Sequence, residues 1–455
     1  MSAPRVIVVG AGPAGVRAVE TLVTHGLAPT VIDEAPAAGG QIYRRQPAGF
    51  RRSLADIHGF EAGRAGRLHA AFDALAGKID YRPKTQVWTV AGTRILTLRD
   101  GRAGDHRFDA LILATGARDR VMPFRGWTLP GVYTLGGAQV ALKHQGCAIG
   151  ARTIFVGGGP LLYLVAYQYA KAGAGVAAVI DGVGATAKLR ALPRLAAGRS
   201  TLAKGLYYVA WLRAHGVRVI EGALPEAVAG ADAVEGLRLR DRRGRAVTVA
   251  GDAIATGFGL EPETRLADLA GCDFRFDAGD RLWLPETDGE GRSSVAGIYL
   301  AGDGARIAGA LAAEITGERA ARALLADFGQ ARDPARDAVL RRRLGRLDRF
   351  RAALAHAFPY PHQAAAAMAD AVMLCRCEAI AAGALRAAVR DLGCDDLNRA
   401  KAFTRIGMGR CQGRFCATAA AEVLAATSGR DLAAVGRPRG QAPAKPVPLT
   451  AGADQ

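Results

Sequence analysis

Residues 6 to 15, Val-Ile-Val-Val-Gly-Ala-Gly-Pro-Ala-Gly, constrain the fold of this chain more than any other stretch. Four β-branched residues in a row favour a buried strand, and glycines at G-x-G-x-x-G spacing impose a tight turn directly after it. Gly10 permits the turn, Gly12 lets a ligand reach the backbone, and Gly15 lets the next helix lie against the strand. Pro13 suits a first helical turn and Ala14 adds little bulk. Val16, Val19, Leu22 and Val23 then recur at helical intervals up to Gly26, and Pro29-Thr-Val-Ile-Asp33-Glu34 forms a second strand ending in acid. A helix N-terminus offers N–H groups and a positive dipole end to a pyrophosphate, and a terminal acid can hold ribose hydroxyls. The pattern predicts a dinucleotide-binding strand–helix–strand unit, with Asp33 or Glu34 as the ribose acid.

A second such unit begins at Thr153-Ile-Phe-Val-Gly157-Gly-Gly159-Pro-Leu-Leu162, and Val176 to Asp181 supplies its second strand and acid. Leu162 stands where the third glycine belongs. The unit therefore either binds NAD(P) or keeps the shape without the ligand. Asp109-Ala-Leu-Ile-Leu-Ala-Thr115-Gly116 and Gly297-Ile-Tyr-Leu-Ala-Gly302-Asp303-Gly304 read as two more buried strands, each ending in a small-residue turn. Asp303 is either a turn-former or a hydroxyl acceptor at its strand end. A chain of 455 residues has room for such a frame and a further domain.

That further domain carries four of the seven cysteines, as Cys375-Arg-Cys377 and Cys411-Gln-Gly-Arg-Phe-Cys416. Clustered thiolates suit iron–sulfur clusters or zinc, and the spacing departs from paired C-x2-C zinc knuckles. A helix predicted from Ala417, just behind Cys411 to Cys416, would favour thiolate charge and lower the cost of gathering four anionic ligands. Cys394, Cys147 and Cys272 stand alone and read as core residues. No dithiol lies in the nucleotide-binding frame, and no histidine has a spacing that marks a catalytic group, so the catalytic residues stay unknown.

The net charge of +18 is mostly arginine, densest between Leu340 and Arg351, where interspersed leucines indicate a solvated helix rather than a nucleic-acid site. Phe358-Pro-Tyr-Pro361 reads as a rigid linker, and the tail from about Pro438, rich in Pro, Ala and Gly, reads as disordered. No secretory signal or transmembrane segment is evident, which points to the cytoplasm, with peripheral attachment to the inner membrane left open.

The motifs at Gly10 to Gly15, Ala114-Thr-Gly116 and Gly302-Asp303 resemble, in their order, the glutathione-reductase-like flavoproteins with two dinucleotide-binding domains. Cys375-Arg-Cys-Glu378 with Lys401 to Cys416 resembles the [2Fe-2S] domain similar to bacterioferritin-associated ferredoxin. Together with Val31-Ile-Asp-Glu34 and Gly39-Gly-Gln-Ile-Tyr43 they resemble the FAD-containing subunits of multi-subunit amine and opine dehydrogenases. Within that family fall one component of octopine/nopaline oxidase, the α chain of D-hydroxyproline dehydrogenase and the middle chain of hydrogen cyanide synthase.

The resemblance implies an α/β fold with an FAD domain in two pieces, residues 1–118 and 251–330. An NAD(P)-type domain would occupy 119–250, a helical linker 331–365, a mainly helical [2Fe-2S] domain 366–430 and a disordered tail 431–455. Gly10, Gly12, Pro13, Ala14 and Gly15 would hold the FAD pyrophosphate, Asp33 or Glu34 the ribose, and Val87 would lie beside the adenine. Gly40 and Gln41 would pass the flavin ring near Thr115 and Gly116, and Gly302 and Asp303 would meet the ribityl chain. Cys375, Cys377, Cys411 and Cys416 would hold the cluster. A partner flavoprotein would oxidise a C–N bond and send electrons through this chain. Two further candidates are an FMN at the interface and a small ferredoxin-like subunit. The competing readings are a self-sufficient NAD(P)H-dependent flavin reductase and a structural subunit binding nucleotide and zinc.

Overall fold

The computed structural model describes residues 3–195, 198–241, 243–448 and 450. Its frame is one architecture used twice. The first sheet is parallel, in the order Ile298–Leu300, Ala110–Leu113, Val6–Val9, Thr30–Ile32, Asp80–Arg82. Val6–Val9 and Ala110–Leu113 are buried throughout, which is why they read as unbroken apolar runs. Helices Pro13–Thr24 and Ala310–Asp327 cover one face and meet at small residues: a Cβ on Gly317 would lie 2.0 Å from the Ala14 carbonyl oxygen. The antiparallel meander Gln86–Ala91, Arg94–Arg99, Arg102–Arg107 covers the other face, packing Val87, Val90 and Ile95 with Ile7, Val9 and Ile32.

The second sheet, also parallel, runs Val219–Glu221, Val176–Asp181, Thr153–Gly157, Ala253–Gly257, Val132–Thr134. It too has helices on one face, Pro160–Lys171 and Arg199–Ala214, and a meander on the other, Leu224–Ala229, Gly236–Arg240 and Ala246–Ala250. A two-stranded ribbon, Ala117–Asp119 against Leu260–Pro262, carries the chain from one sheet to the other and back. The strand Ile298–Leu300 then returns to the first sheet.

The helix Pro334–Ala357 leads out of this frame, with Leu340, Ala353 and Ala357 buried and Arg341, Arg342 and Arg343 in solvent. The C-terminal module follows: the hairpin Met373–Cys375 with Ile380–Ala381, then helices Ala382–Leu392, Leu397–Thr404 and Ala417–Ser428. The middle helix has a weak apolar pattern; Asp396 starts it by accepting the N–H groups of Asn398 and Arg399. The module packs Leu374, Leu385, Val423 and Leu424 together with Met122 and Phe258 from beside the ribbon. One expectation fails here. The segment after Pro438, whose composition suggests disorder, packs back onto the frame as far as Pro446, and Ala444 is buried in the core under the first meander. Among the described residues no helix is long and apolar enough to cross a membrane.

Candidate nucleotide clefts and cysteine site

The first glycine turn is shaped by close backbone approach. A Cβ on Gly15 would stand 1.8 Å from the Gly10 carbonyl oxygen, and one on Gly10 would stand 2.3 Å from that of Ala114. Gly12 differs: its Cβ would meet only Gly40 Cα, at 3.6 Å, so its open side faces the cleft. Gly39 N–H donates to the Ala11 carbonyl at 2.8 Å, which sets Gly40 and Gln41 opposite the turn. No side chain caps the helix starting at Pro13, so its first N–H groups remain free for an anion.

Asp33 ends the second strand and is buried, which raises its carboxyl, while N–H groups of Ala11 and Ala35 oppose the rise. Arg44 and Tyr81 lie within electrostatic range of Asp33, and the Arg44 Nε and the Tyr81 hydroxyl are buried without partners on the described chain. Unpaired buried polar atoms beside a free helix N-terminus are what a bound dinucleotide would satisfy, so these residues fit FAD. Glu34, the alternative acid, is exposed and paired with Lys445. Val87 is buried in the meander. Asp303 Oδ1 accepts N–H from Ala308 and Gly309, at 2.8 and 2.9 Å, and Oδ2 has no hydrogen bond among the described residues. Thr115 and Gly116 form the turn above the sheet, and the Gly302 Cβ position lies 2.7 Å from that of Ala14.

The second glycine turn has the same outline and a different interior. Leu162 is fully buried among Leu135, Ala138 and Phe155. Asp181 is 0% exposed and its oxygens are taken: the Tyr163 hydroxyl donates at 2.7 Å, Val183 N–H at 2.8 Å, and Lys188 Nζ lies at 2.6 Å. Lys188 also reaches Glu221 at 2.9 Å. The acid that a ribose would need is sealed inside the protein.

The four cysteines converge, although Cys377 and Cys411 lie 34 residues apart in sequence. They meet as two pairs, Cys375 within hydrogen-bonding reach of Cys416 and Cys377 of Cys411. Cys375 and Cys416 are buried; Cys377 and Cys411 lie nearer the surface. The hydrogen bond from Cys416, outweighing burial, draws the Cys375 thiol down to about 5, helped by the backbone N–H groups of Gly407, Glu378 and Cys377. The partner Cys416 is correspondingly pushed up. Gly409 is required for this approach, since its Cβ would stand 2.3 Å from that of Cys377. Cys416 opens the helix Ala417–Ser428, and Arg376 stacks on Phe415 at 4.0 Å, tying the C-x-C turn to the C-x4-C turn. Among the described residues no three His, Cys, Asp or Glu side chains converge on one point as ligands of a single ion would. Two thiol pairs on adjoining turns have the donor chemistry of a thiolate-held metal centre, which fits the expected cluster. Cys394 and Cys272 are buried as expected, whereas Cys147 is exposed, because it follows the left-handed Gly146 into a surface loop.

Sequence reading missed the residues that join this site to the first cleft. Arg414, inside C-x4-C, pairs with Glu263 at 2.6 Å and donates to the Cys411 carbonyl at 3.2 Å. Glu263 also faces Arg118, and its own backbone holds the Thr115–Gly116 turn: its N–H donates to the Gly116 carbonyl, and its carbonyl accepts the Thr115 hydroxyl at 2.6 Å. Burial would raise the Glu263 carboxyl, but Arg118 and Arg414 outweigh it and hold it at about 2. Arg265 donates to the Gln412 carbonyl, and Thr418 to Glu261 at 2.7 Å. No local pattern could announce a pair 151 residues apart; an arginine inside the cysteine loop was the only signal.

Residues 4–321 match the model of the pyridine nucleotide-disulphide oxidoreductase family, and residues 374–455 that of the sarcosine oxidase A3 domain. The chain belongs to the pyridine nucleotide-disulphide oxidoreductase family, alongside the A subunits of opine oxidase. It is 36% identical to the opine oxidase A subunit of Agrobacterium tumefaciens (strain Ach5), across 97% of this chain and 90% of that protein. It is 32% identical to hydrogen cyanide synthase subunit HcnB of Pseudomonas protegens, across 98% and 96%. Its fold is also that of L-proline dehydrogenase from P. horikoshii, with a TM-score of 0.72 at 21% identity over 98% of this chain and 78% of that one. Membership makes the chain an oxidoreductase of the flavoprotein class, and FAD is the cofactor its fold implies.

Proposed function

We propose that this chain is the electron-transferring flavin and iron–sulfur subunit of a hetero-oligomeric dehydrogenase. A partner flavoprotein would oxidise the C–N bond of a secondary amine, opine or D-amino or imino acid. The observation that carries the reading is the joining of a paired-cysteine site to a nucleotide cleft by one buried hydrogen-bonded junction. The names of the relatives support it, since HcnB and the A subunits of opine oxidase are each named as one part of an enzyme. FAD and a [2Fe-2S] cluster, when bound, would supply two-electron and one-electron chemistry respectively.

The residues of this chain have positioning roles in that reading. The turn from Gly10 to Gly15 would receive the pyrophosphate, Asp33 the adenosine ribose, Val87 the adenine and Asp303 Oδ2 a ribityl hydroxyl. Gly40, Gln41, Thr115, Gly116 and Gly302 would line the rest of the flavin cleft. Cys375 with Cys416, and Cys377 with Cys411, would each hold one iron. The more accessible outer pair, Cys377 and Cys411, lies on the side from which a partner could exchange electrons. Placement there of an FMN or of a small ferredoxin-like subunit belongs to the same proposal.

The flavin half would comprise residues 1–118 and 251–330, and the half at 119–250 would be a degenerate nicotinamide domain. The sealed Asp181 favours this over a self-sufficient NAD(P)H reductase. Anaerobic purification followed by stepwise reduction tests the reading. A flavin spectrum with two irons per chain and a paramagnetic signal on reduction is expected, with no flavin bleaching by NADH or NADPH. Replacing Cys411 by Ser should remove the paramagnetic signal. Zinc in place of iron, or rapid bleaching by NADH, would overturn the reading.

A further inference from the structure

Residues 437–446 leave the C-terminal module and cross back over the first half of the frame. The crossing begins where Arg437 pairs with Asp268 at 2.8 Å and stacks on Phe274 at 3.7 Å, and where Gly440 N–H donates to the same carboxylate. Its far end lies along the strand Gln86–Ala91. The pairing of that strand shifts register between Val87 and Thr89, and Ala444 N–H donates to the Trp88 carbonyl at 2.7 Å. Ala444 is 2% exposed and packs in one cluster with Val87, Val90 and Ile95. The Gln86 side chain donates to the Pro446 carbonyl at 3.3 Å, and Lys445 pairs with Glu34. From the other side Arg414, in the cysteine loop, donates to the Ala444 carbonyl at 2.7 Å.

The placement is selective. On the flavin reading Glu34 and Val87, on separate elements, would flank the adenosine end of the cleft, and this segment pairs with the first through Lys445 and shares a core cluster with the second through Ala444. Among the described residues it makes no hydrogen bond to the turns at Thr115 or Gly302, where the flavin ring and ribityl chain would lie. A Pro-, Ala- and Gly-rich segment gains little from its own side chains, so its ordering rests on these anchors.

We propose that residues 437–446 form a wall of the cofactor site that closes the adenosine end of the FAD cleft and slows FAD release. The proposal rests on the flavin reading. Lys445 neutralises Glu34, leaving Asp33 as the acid for the ribose, and Ala444 shields the adenine edge of the meander from water. Because Arg414 holds the same alanine, the wall is also tied to the cysteine loop.

The test compares the full chain with a variant ending at Arg439, which keeps Arg437 and loses the contacts of Ala444 to Pro446. FAD release is followed by fluorescence after dilution, and ADP, which carries only the adenosine end, is titrated into deflavinated protein. Truncation should speed FAD release about tenfold and weaken ADP by a similar factor, with FMN affinity and iron content unchanged. Lys445→Glu in the full chain should speed release by roughly threefold, by setting a carboxylate against Glu34. Should the truncated chain fail to fold, the Lys445→Glu comparison decides alone. Unchanged release in the folded truncation, or in Lys445→Glu, overturns the proposal. So does an equal loss of FMN and ADP affinity, which would mark general destabilisation. If the full chain takes up no FAD at all, the flavin reading falls and the wall falls with it, a result distinct from unchanged release.

Discussion

The two halves of the frame start from the same strand and glycine-turn pattern, with five of ten residues identical, and end with different interiors. In the first, Gly15 brings the helix onto the strand, the turn faces Gly40, and Asp33 lies beside buried polar atoms that have no partner among the described residues. In the second, Leu162 fills the glycine position and Asp181 is closed off by Tyr163, Lys188 and Val183. Both halves keep the parallel sheet, the covering helices and the meander. What separates them is which groups take up the lone pairs of one carboxylate. On the proposed reading, a nucleotide-binding fold keeps its shape without a ligand when the acid finds a permanent partner inside the protein.

The largest effect that could break this comparison comes from Gly15→Ala. The added methyl would stand 1.8 Å from the Gly10 carbonyl oxygen, and backbone must move to admit it. Loss of bound flavin and a destabilisation above about 4 kcal/mol are expected, read by flavin absorbance and thermal unfolding. A stable variant with stoichiometric flavin would mean that the first turn owes nothing to its glycine spacing.

Lys188→Met probes the second half in the same way. It removes the cation from a carboxylate that has no access to water, and about 3 kcal/mol of stability should be lost, measured by denaturant unfolding. Flavin content should not change. Removing Lys188 leaves Asp181 with two neutral donors, so a gain of NADH binding in this variant would show that the lysine alone blocks the second cleft.

These two sites show what was legible in the sequence. Gly10 to Gly15 could be read because a strand, a turn and a helix made by adjacent residues are local physics, and the fold class follows from two such units in order. Leu162 was legible as a departure. The partner that seals Asp181 was not, because Lys188 belongs to a neighbouring helix whose approach depends on the packing of the whole half. The cysteine quartet was visible as a cluster, while its division into pairs required the fold of the module. Tail composition misled: Pro, Ala and Gly suggested disorder, yet Ala444 is held by Trp88, Arg414 and the core beneath them. Bonds supplied by distant residues outweigh a weak local preference.

Acid sharpens the contrast, because the first half is joined to the cysteine module through Glu263. Its folded carboxyl sits at about 2 against an ordinary value of 4.5, so the ionised form is favoured by folding. The stabilisation is complete above 4.5 and is lost as pH falls from there towards 2, an effect on the order of 3 kcal/mol. Unfolding followed across that window should show the wild type weakening, while Glu263→Gln, already without the charge, should show a shallower dependence. An identical slope in the two proteins would remove Glu263 from the junction.

The smallest expected effect on stability is the most informative about the comparison. Lys445 and Glu34 form the same kind of pair as Lys188 and Asp181, a lysine at the acid ending a second strand. Here, however, the carboxylate side chain is 55% exposed and the lysine 33%. Water and salt screen such a pair, so Lys445→Met should cost less than about 1 kcal/mol, against roughly three times that for Lys188→Met. Measuring both variants by the same unfolding method isolates burial as the variable, since each pair is a lysine ammonium on a carboxylate. Equal costs would mean that Glu34 is as enclosed as Asp181, and that the first cleft is no more open than the second. A small cost with faster flavin release would instead separate the two jobs a lysine can do beside an acid: stabilising the fold in one half and closing a ligand site in the other.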